Sequence, residues 1–96
     1  MRPSQALEAN RAALRAIAAR HRVQNVRVFG SALHKDDTED SDLDLLVDPT
    51  PQTTLMDIAA IQVEAEEVLG VQVDVLTPKS LPAMLRDRVL REAVPV

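Results

Sequence analysis

The chain has 96 residues, of which 46% are hydrophobic and 27% charged, with a formal net charge of −4 at pH 7. Those proportions describe one soluble globular domain over residues 1–96 and exclude a disordered chain. Cysteine is absent and Phe29 is the single aromatic residue, which excludes disulfides, thiol chemistry and thiolate metal sites, and argues against a base-stacking platform for single strands. The acidic balance argues against direct nucleic-acid binding, and without a membrane-length apolar run or a signal-peptide pattern the expected location is cytoplasmic, with no membrane partner.

In chain order, Ser4 to about Arg20 reads as one helix capped by Ser4, with Leu7, Leu14, Ile17 and Ala18 at helical spacing. Arg11, Arg15 and Arg22 fall near one stripe and read as a solvated face, the alternative being a docking surface for phosphate or an acidic partner. Val26 to Phe29 reads as a short buried strand ending at Gly30-Ser31, with Phe29 in the core. Residues 34–41 form a polar loop carrying Asp36, Asp37, Glu39 and Asp40. Asp42 to Val47 is a second strand, with Leu43, Leu45 and Val47 on one face and Asp42, Asp44 and Leu46 on the other. Pro49-Thr50-Pro51 ends it.

Thr53 or Thr54 then caps a helix, with Asp57 completing a capping box in the second case, and Gly70 stops it. Leu55, Ile58, Ile61, Ala65, Val68 and Leu69 are its apolar face; Glu64, Glu66 and Glu67 are expected in solvent. Val71 to Leu76 reads as a third strand with Asp74 on the face opposite its valines, and Thr77-Pro78 ends it. Residues 81–93 read as a last helix with Leu85, Val89 and Leu90 inward and Arg86, Arg88 and Arg91 outward, followed by a loose tail at 94–96. The order predicts an α/β (α+β) fold: a small mixed sheet of three or four strands, the first pair antiparallel and the next parallel across a helix, with helices packed on it.

Aspartate is depleted in strands, so Asp42 and Asp44 at the opening of one need a reason. Period-two geometry puts them on one face, about 7 Å apart along the strand. If the third strand lies beside the second, Asp74 joins them. Three clustered carboxylates do not all stay ionised without a cation. Oxygen ligands favour Mg²⁺ or Mn²⁺, and a pair of such ions about 3.5–4 Å apart serves phosphoryl or nucleotidyl transfer. Gly30 lets the backbone approach a ligand, and the Ser31 amide and hydroxyl can donate to phosphate, better if a short helix starts there. A calcium loop beginning at Asp40 fails, because its sixth position is Leu45 and its twelfth is Pro51. There is no Walker A loop, and neither histidine has a partner for zinc or a triad.

Gly30-Ser31 followed by Ser41-Asp42-Leu43-Asp44-Leu45 resembles the signature of the DNA polymerase β-like nucleotidyltransferases. The compact chain and the Val-Asp-Val-Leu-Thr run at 73–77 are similar to the minimal nucleotidyltransferases of bacteria and archaea, over about residues 23–93. The resemblance implies that Asp42 and Asp44 bind two Mg²⁺ ions, that Asp74 completes the site and helps activate the acceptor hydroxyl, and that Gly30, Ser31 and Ser41 serve the nucleotide. Many members have Ala-Arg-Gly where this chain has Leu33-His34-Lys35. For the phosphate this leaves His34, expected to be exposed, and Lys35, neither with the planar fork of arginine.

Larger relatives carry a second domain for the acceptor, for which this chain has no residues left. The resemblance therefore implies that a partner brings the acceptor: a HEPN-domain toxin to which an antitoxin of this kind transfers AMP from ATP. The alternative is an antitoxin that neutralises its partner by occlusion. Transfer to a small molecule lacks the domain that would hold it.

Overall fold

The computed structural model describes residues 1–96. It contains α1 (Pro3–Ala9), α2 (Arg11–Arg20), β1 (Val23–Phe29), α3 (Ser31–His34), β2 (Leu43–Pro49), α4 (Leu55–Leu69), β3 (Val73–Leu76), a 3₁₀ turn (Pro78–Ser80), α5 (Ala83–Glu92) and β4 (Val94–Pro95). The sheet order is β3-β2-β1-β4. β1 runs antiparallel to both β2 and β4, and β2 runs parallel to β3 across α4. The mixed sheet with helices expected from the element order is thus present.

One face of the sheet makes the core. Val28, Leu43, Leu45, Val47, Val73 and Val75 are buried there against Leu14, Ile17 and Ala18 of α2 and Ile61, Ala65 and Leu69 of α4. Val23 and Val28 are both buried, although strict alternation would put them on opposite faces. A register shift between Gln24 and Arg27, with Asn25 at φ 56°, supplies the extra residue that returns both to the core.

Several boundaries differ from the periodicity. The first helix is two helices, broken at Asn10 (φ −135°). The Asn10 side chain donates to the Ala6 carbonyl at 2.9 Å and its backbone amide to Leu7, so the asparagine closes one turn instead of continuing it. Ser4 lies inside α1, not at its cap, and its amide donates to Asp37 at 2.7 Å. Asp37 is therefore a buried anchor of the 34–41 loop at the start of α1, not a solvated loop acid. Burial pushes its carboxyl up, but the Ser4 hydrogen bonds outweigh that and hold it below the usual range. β1 begins three residues earlier than the apolar run, because the irregularity at Asn25 hides the strand in the pattern. β2 and β3 begin at Leu43 and Val73.

The 94–96 tail is not loose. Val94 and Val28 are register partners, and the Val96 amide donates to Val26 at 2.9 Å. Arg11 and Arg15 donate to the Val96 carbonyl at 3.3 and 2.7 Å, so two arginines of the expected solvated stripe clamp this strand.

The capping box of Thr54 and Asp57 and the left-handed Gly70 (φ 72°) bound α4 where expected. Its face is narrower than expected: Leu55 and Val68 are exposed. Glu64 takes hydrogen bonds from Arg20 and His21, which pull its carboxyl below the usual range against the push of burial. Glu66 accepts the Val73 amide at 3.1 Å and Gln62 the Val75 amide at 3.4 Å. On α5 no residue is buried, and Leu85 and Leu90, expected inward, are exposed. Arg86, expected outward, instead ties the helix down, donating to the carbonyls of Pro78 at 2.8 Å and Leu81 at 2.9 Å.

Candidate active site

The second face of the sheet carries the chemistry. Register aligns Phe29 with Asp44 and Asp44 with Asp74, which puts these three side chains in one row across β1, β2 and β3. Phe29 is accordingly half-buried on this face and not in the core. Below the row, Leu46 is fully buried and packs away from the main core, where the 3₁₀ turn covers β2.

Asp44 is half-buried, while Asp42 and Asp74 are exposed. Burial, then the charges of Asp74 and Asp42, push the Asp44 carboxyl up to about 6. Asp44 and Asp74 are thus register partners that repel one another, and Asp42 adds its charge to Asp44 from the start of the strand. No three Asp, Glu or His side chains are gathered tightly enough to hold one ion by themselves. That suits Mg²⁺, which is typically held by one or two carboxylates and completes its octahedron with water and substrate phosphate. The donors are all hard oxygens, and a divalent cation beside Asp44 would relieve the repulsion recorded there. Asp42, Asp44 and Asp74 therefore fit such a group.

Gly30 stands against this row. Its φ of 75° and ψ of −152° belong to a region open essentially to glycine alone. A Cβ built on it would run into Oδ2 of Asp44. Any larger residue would both strain the backbone and displace the carboxylate. Gly30 is also the cap residue of α3, a single turn beginning at Ser31. Beside it opens a hollow of about 350 Å³ that includes Phe29, Gly30, Ser31 and His34 on one side and Leu85, Arg88 and Val89 of α5 on the other.

His34 is exposed, as expected, and its Nε2 lies 3.4 Å from Glu92. Arg88 Nε lies 3.3 Å from the other oxygen of Glu92. Burial pushes the Glu92 carboxyl up, but the Arg88 and His34 contacts outweigh it and hold it below the usual range.

Ser41 and Lys35 lie apart from this hollow. The Ser41 hydroxyl accepts the Thr38 amide at 2.9 Å and closes the loop before β2, beside Asp42 in a separate polar depression. Lys35 is in the left-handed conformation (φ 58°) at the end of α3, and its side chain lies toward Arg2, Gln5 and Glu8 of the α1 side. Arg88, Val89 and Glu92 are site neighbours that the sequence reading passed over. Their signal, an Arg and a Glu four apart on a helix, is common to many solvated helices.

A family model described as polymerase beta, nucleotidyltransferase matches residues 13–96. The chain is 42% identical over 80 residues to "Putative protein adenylyltransferase MJ0435" of Methanocaldococcus jannaschii, covering 83% of this chain and 86% of that protein. It is 36% identical over 72 residues to "Protein adenylyltransferase MntA" of Thermococcus cleftensis, covering 75% and 73%. The fold superposes on "Structure of putative minimal nucleotidyltransferase" with a TM-score of 0.87 at 44% identity, over 97% of this chain and 95% of that one. At 17% identity it also shares the fold of a chain in a toxin-antitoxin crystallised with AMP-PNP, with a TM-score of 0.75 over 90% and 71% of the two chains. The register of acids behind a glycine-only turn and these likenesses agree: the chain belongs to the polymerase β nucleotidyltransferase family.

Proposed function

We propose that this protein transfers AMP from ATP to a hydroxyl of a partner protein, with Asp42, Asp44 and Asp74 as the metal-binding and catalytic acids. The observation that carries the reading is the placement of Asp44 beside Asp74, with Gly30 held in contact with the same carboxylate. Asp42 and Asp44 would hold two Mg²⁺ ions, which when bound neutralise charge on the reacting phosphate and on the leaving oxygen. Asp74, exposed beside Asp44, would take up or orient the acceptor proton. The acceptor oxygen bonds to the α-phosphorus, the bond to pyrophosphate breaks, and the proton leaves the hydroxyl. Gly30 and Ser31 steady the phosphates beside the row; Ser41 acts by setting the loop that delivers Asp42.

Relatives named as protein adenylyltransferases, and a toxin-antitoxin sharing the fold, support a toxin as the acceptor, and a HEPN-domain protein is the expected kind. Leu55, Met56, Met84, Leu85 and Leu90 are exposed apolar residues on α4 and α5, in keeping with a protein partner. The same surface favours the second reading, neutralisation by occlusion alone. Incubation with α-labelled ATP, Mg²⁺ and the co-purifying partner separates them. Wild type should label the partner, and Asp42→Asn and Asp44→Asn should not. Labelling that survives both substitutions would remove this site from the reaction. A double variant that neutralises the toxin at equal dose favours occlusion.

A further inference from the structure

On the reading above the acids take up cations, and Asp36 adds a further negative charge at the adjoining hollow. A nucleoside triphosphate brings about four more negative charges, so the hollow needs a cation of its own. Among the residues around it, Arg88 and His34 are the two that can supply one. They reach it from different elements, α5 and α3, yet both converge on the carboxylate of Glu92. Helix physics gives that arrangement little support. Glu92 is the last residue of α5, where the backbone dipole disfavours an acid. Arg88 precedes it by four, the less favourable order for a helical pair. Side chains exposed by 67% and 40% make a weak pair that another anion can replace.

We propose that Arg88, assisted by His34, is the phosphate-binding end of this hollow, and that Glu92 holds both until the outer phosphates of a nucleoside triphosphate take its place. The inference rests on the nucleotide reading above and adds residues that bind beside the row of acids. The guanidinium fork suits two phosphate oxygens at once. Phe29, Leu85 and Val89 form the apolar side of the same hollow. Were that side the seat of the base, Arg88 would matter equally for every adenine nucleotide.

Calorimetric titration of the whole protein with a non-hydrolysable ATP analogue and with AMP, both in Mg²⁺, decides the point. Arg88→Ala should weaken the triphosphate about tenfold and leave AMP within about twofold. Arg88→Lys should fall between the two. Glu92→Gln should tighten the triphosphate about threefold, because a competing anion is gone. Retained AMP binding shows that the variants are folded. Unchanged triphosphate affinity in Arg88→Ala, or equal losses for both nucleotides, overturns the inference while leaving the nucleotide site standing. Wild type that binds neither nucleotide overturns the site reading as well.

Discussion

The two faces of the sheet obey opposite rules. The core face is built from Val28, Leu45, Val73 and Val75, none more than 7% exposed, and removes apolar area from water. The other face sets Phe29, Asp44 and Asp74 side by side and gathers charges that repel one another. The strands β1, β2 and β3 serve both faces, since alternate residues of each go to opposite sides. Fold stability and site chemistry are therefore carried by interleaved residues, and substitutions one position apart should separate them.

The largest separation is expected at Asp44. Asp44→Asn should lower nucleotidyl transfer by about a hundredfold or more, since it removes a charge that would hold the metal ions facing the reacting phosphate; steady-state assays check this. Leu45→Ala, the next residue, should leave the site chemistry intact in the cold but cost about 3 kcal/mol of stability, read by denaturant unfolding. Gly30→Ala joins the two faces. Strain at positive φ and the collision with Asp44 should cost about 1–3 kcal/mol and lower transfer together.

Smaller effects sharpen the contrast. The Asp44 carboxyl is raised in the folded state from 3.8 to about 6, so the folded chain binds more protons than the unfolded one between those values. Its stability should fall as pH rises from about 4 to 6 and change no further above. Asp44→Asn should remove that slope and gain about 1 kcal/mol at pH 8 without metal, once screening of a half-exposed group is counted. Thermal melts across pH measure it. Adding Mg²⁺ should raise the melting temperature of wild type more than that of Asp44→Asn. Smallest is Lys35→Gly, which should gain about 0.5–1 kcal/mol by relieving the left-handed backbone.

What could be read in the sequence follows the same division. Period-two alternation placed the β2 acids and leucines correctly, and local capping chemistry marked both ends of α4 through Thr54, Asp57 and Gly70. The errors came where a long-range contact sets local structure. Asn25 breaks the alternation of β1, so its first residues do not read as strand. Val94 and Val96 are ordered by pairing with β1 and by Arg11 and Arg15, all distant in sequence. Arg88 and Ser31, far apart in sequence, line one hollow only in the folded chain. The Leu33-His34-Lys35 stretch also gains a backbone meaning: Lys35 has a left-handed φ, a conformation that glycine adopts without strain.

The two side chains that α4 extends to the amides of β3 have a consequence for how copies of this protein behave in a crowded cell. β3 is an outer strand, and its free amides would invite the strand of a neighbouring molecule. Gln62 and Glu66 occupy the amides of Val75 and Val73. At the opposite edge, β4 lends its backbone to β1. The β3 rim is thereby shielded from the edge-to-edge growth that leads to aggregates, and the β4 rim is a two-residue strand that ends in proline. A protein that binds at the β3 rim must accordingly grip side chains, not extend the sheet.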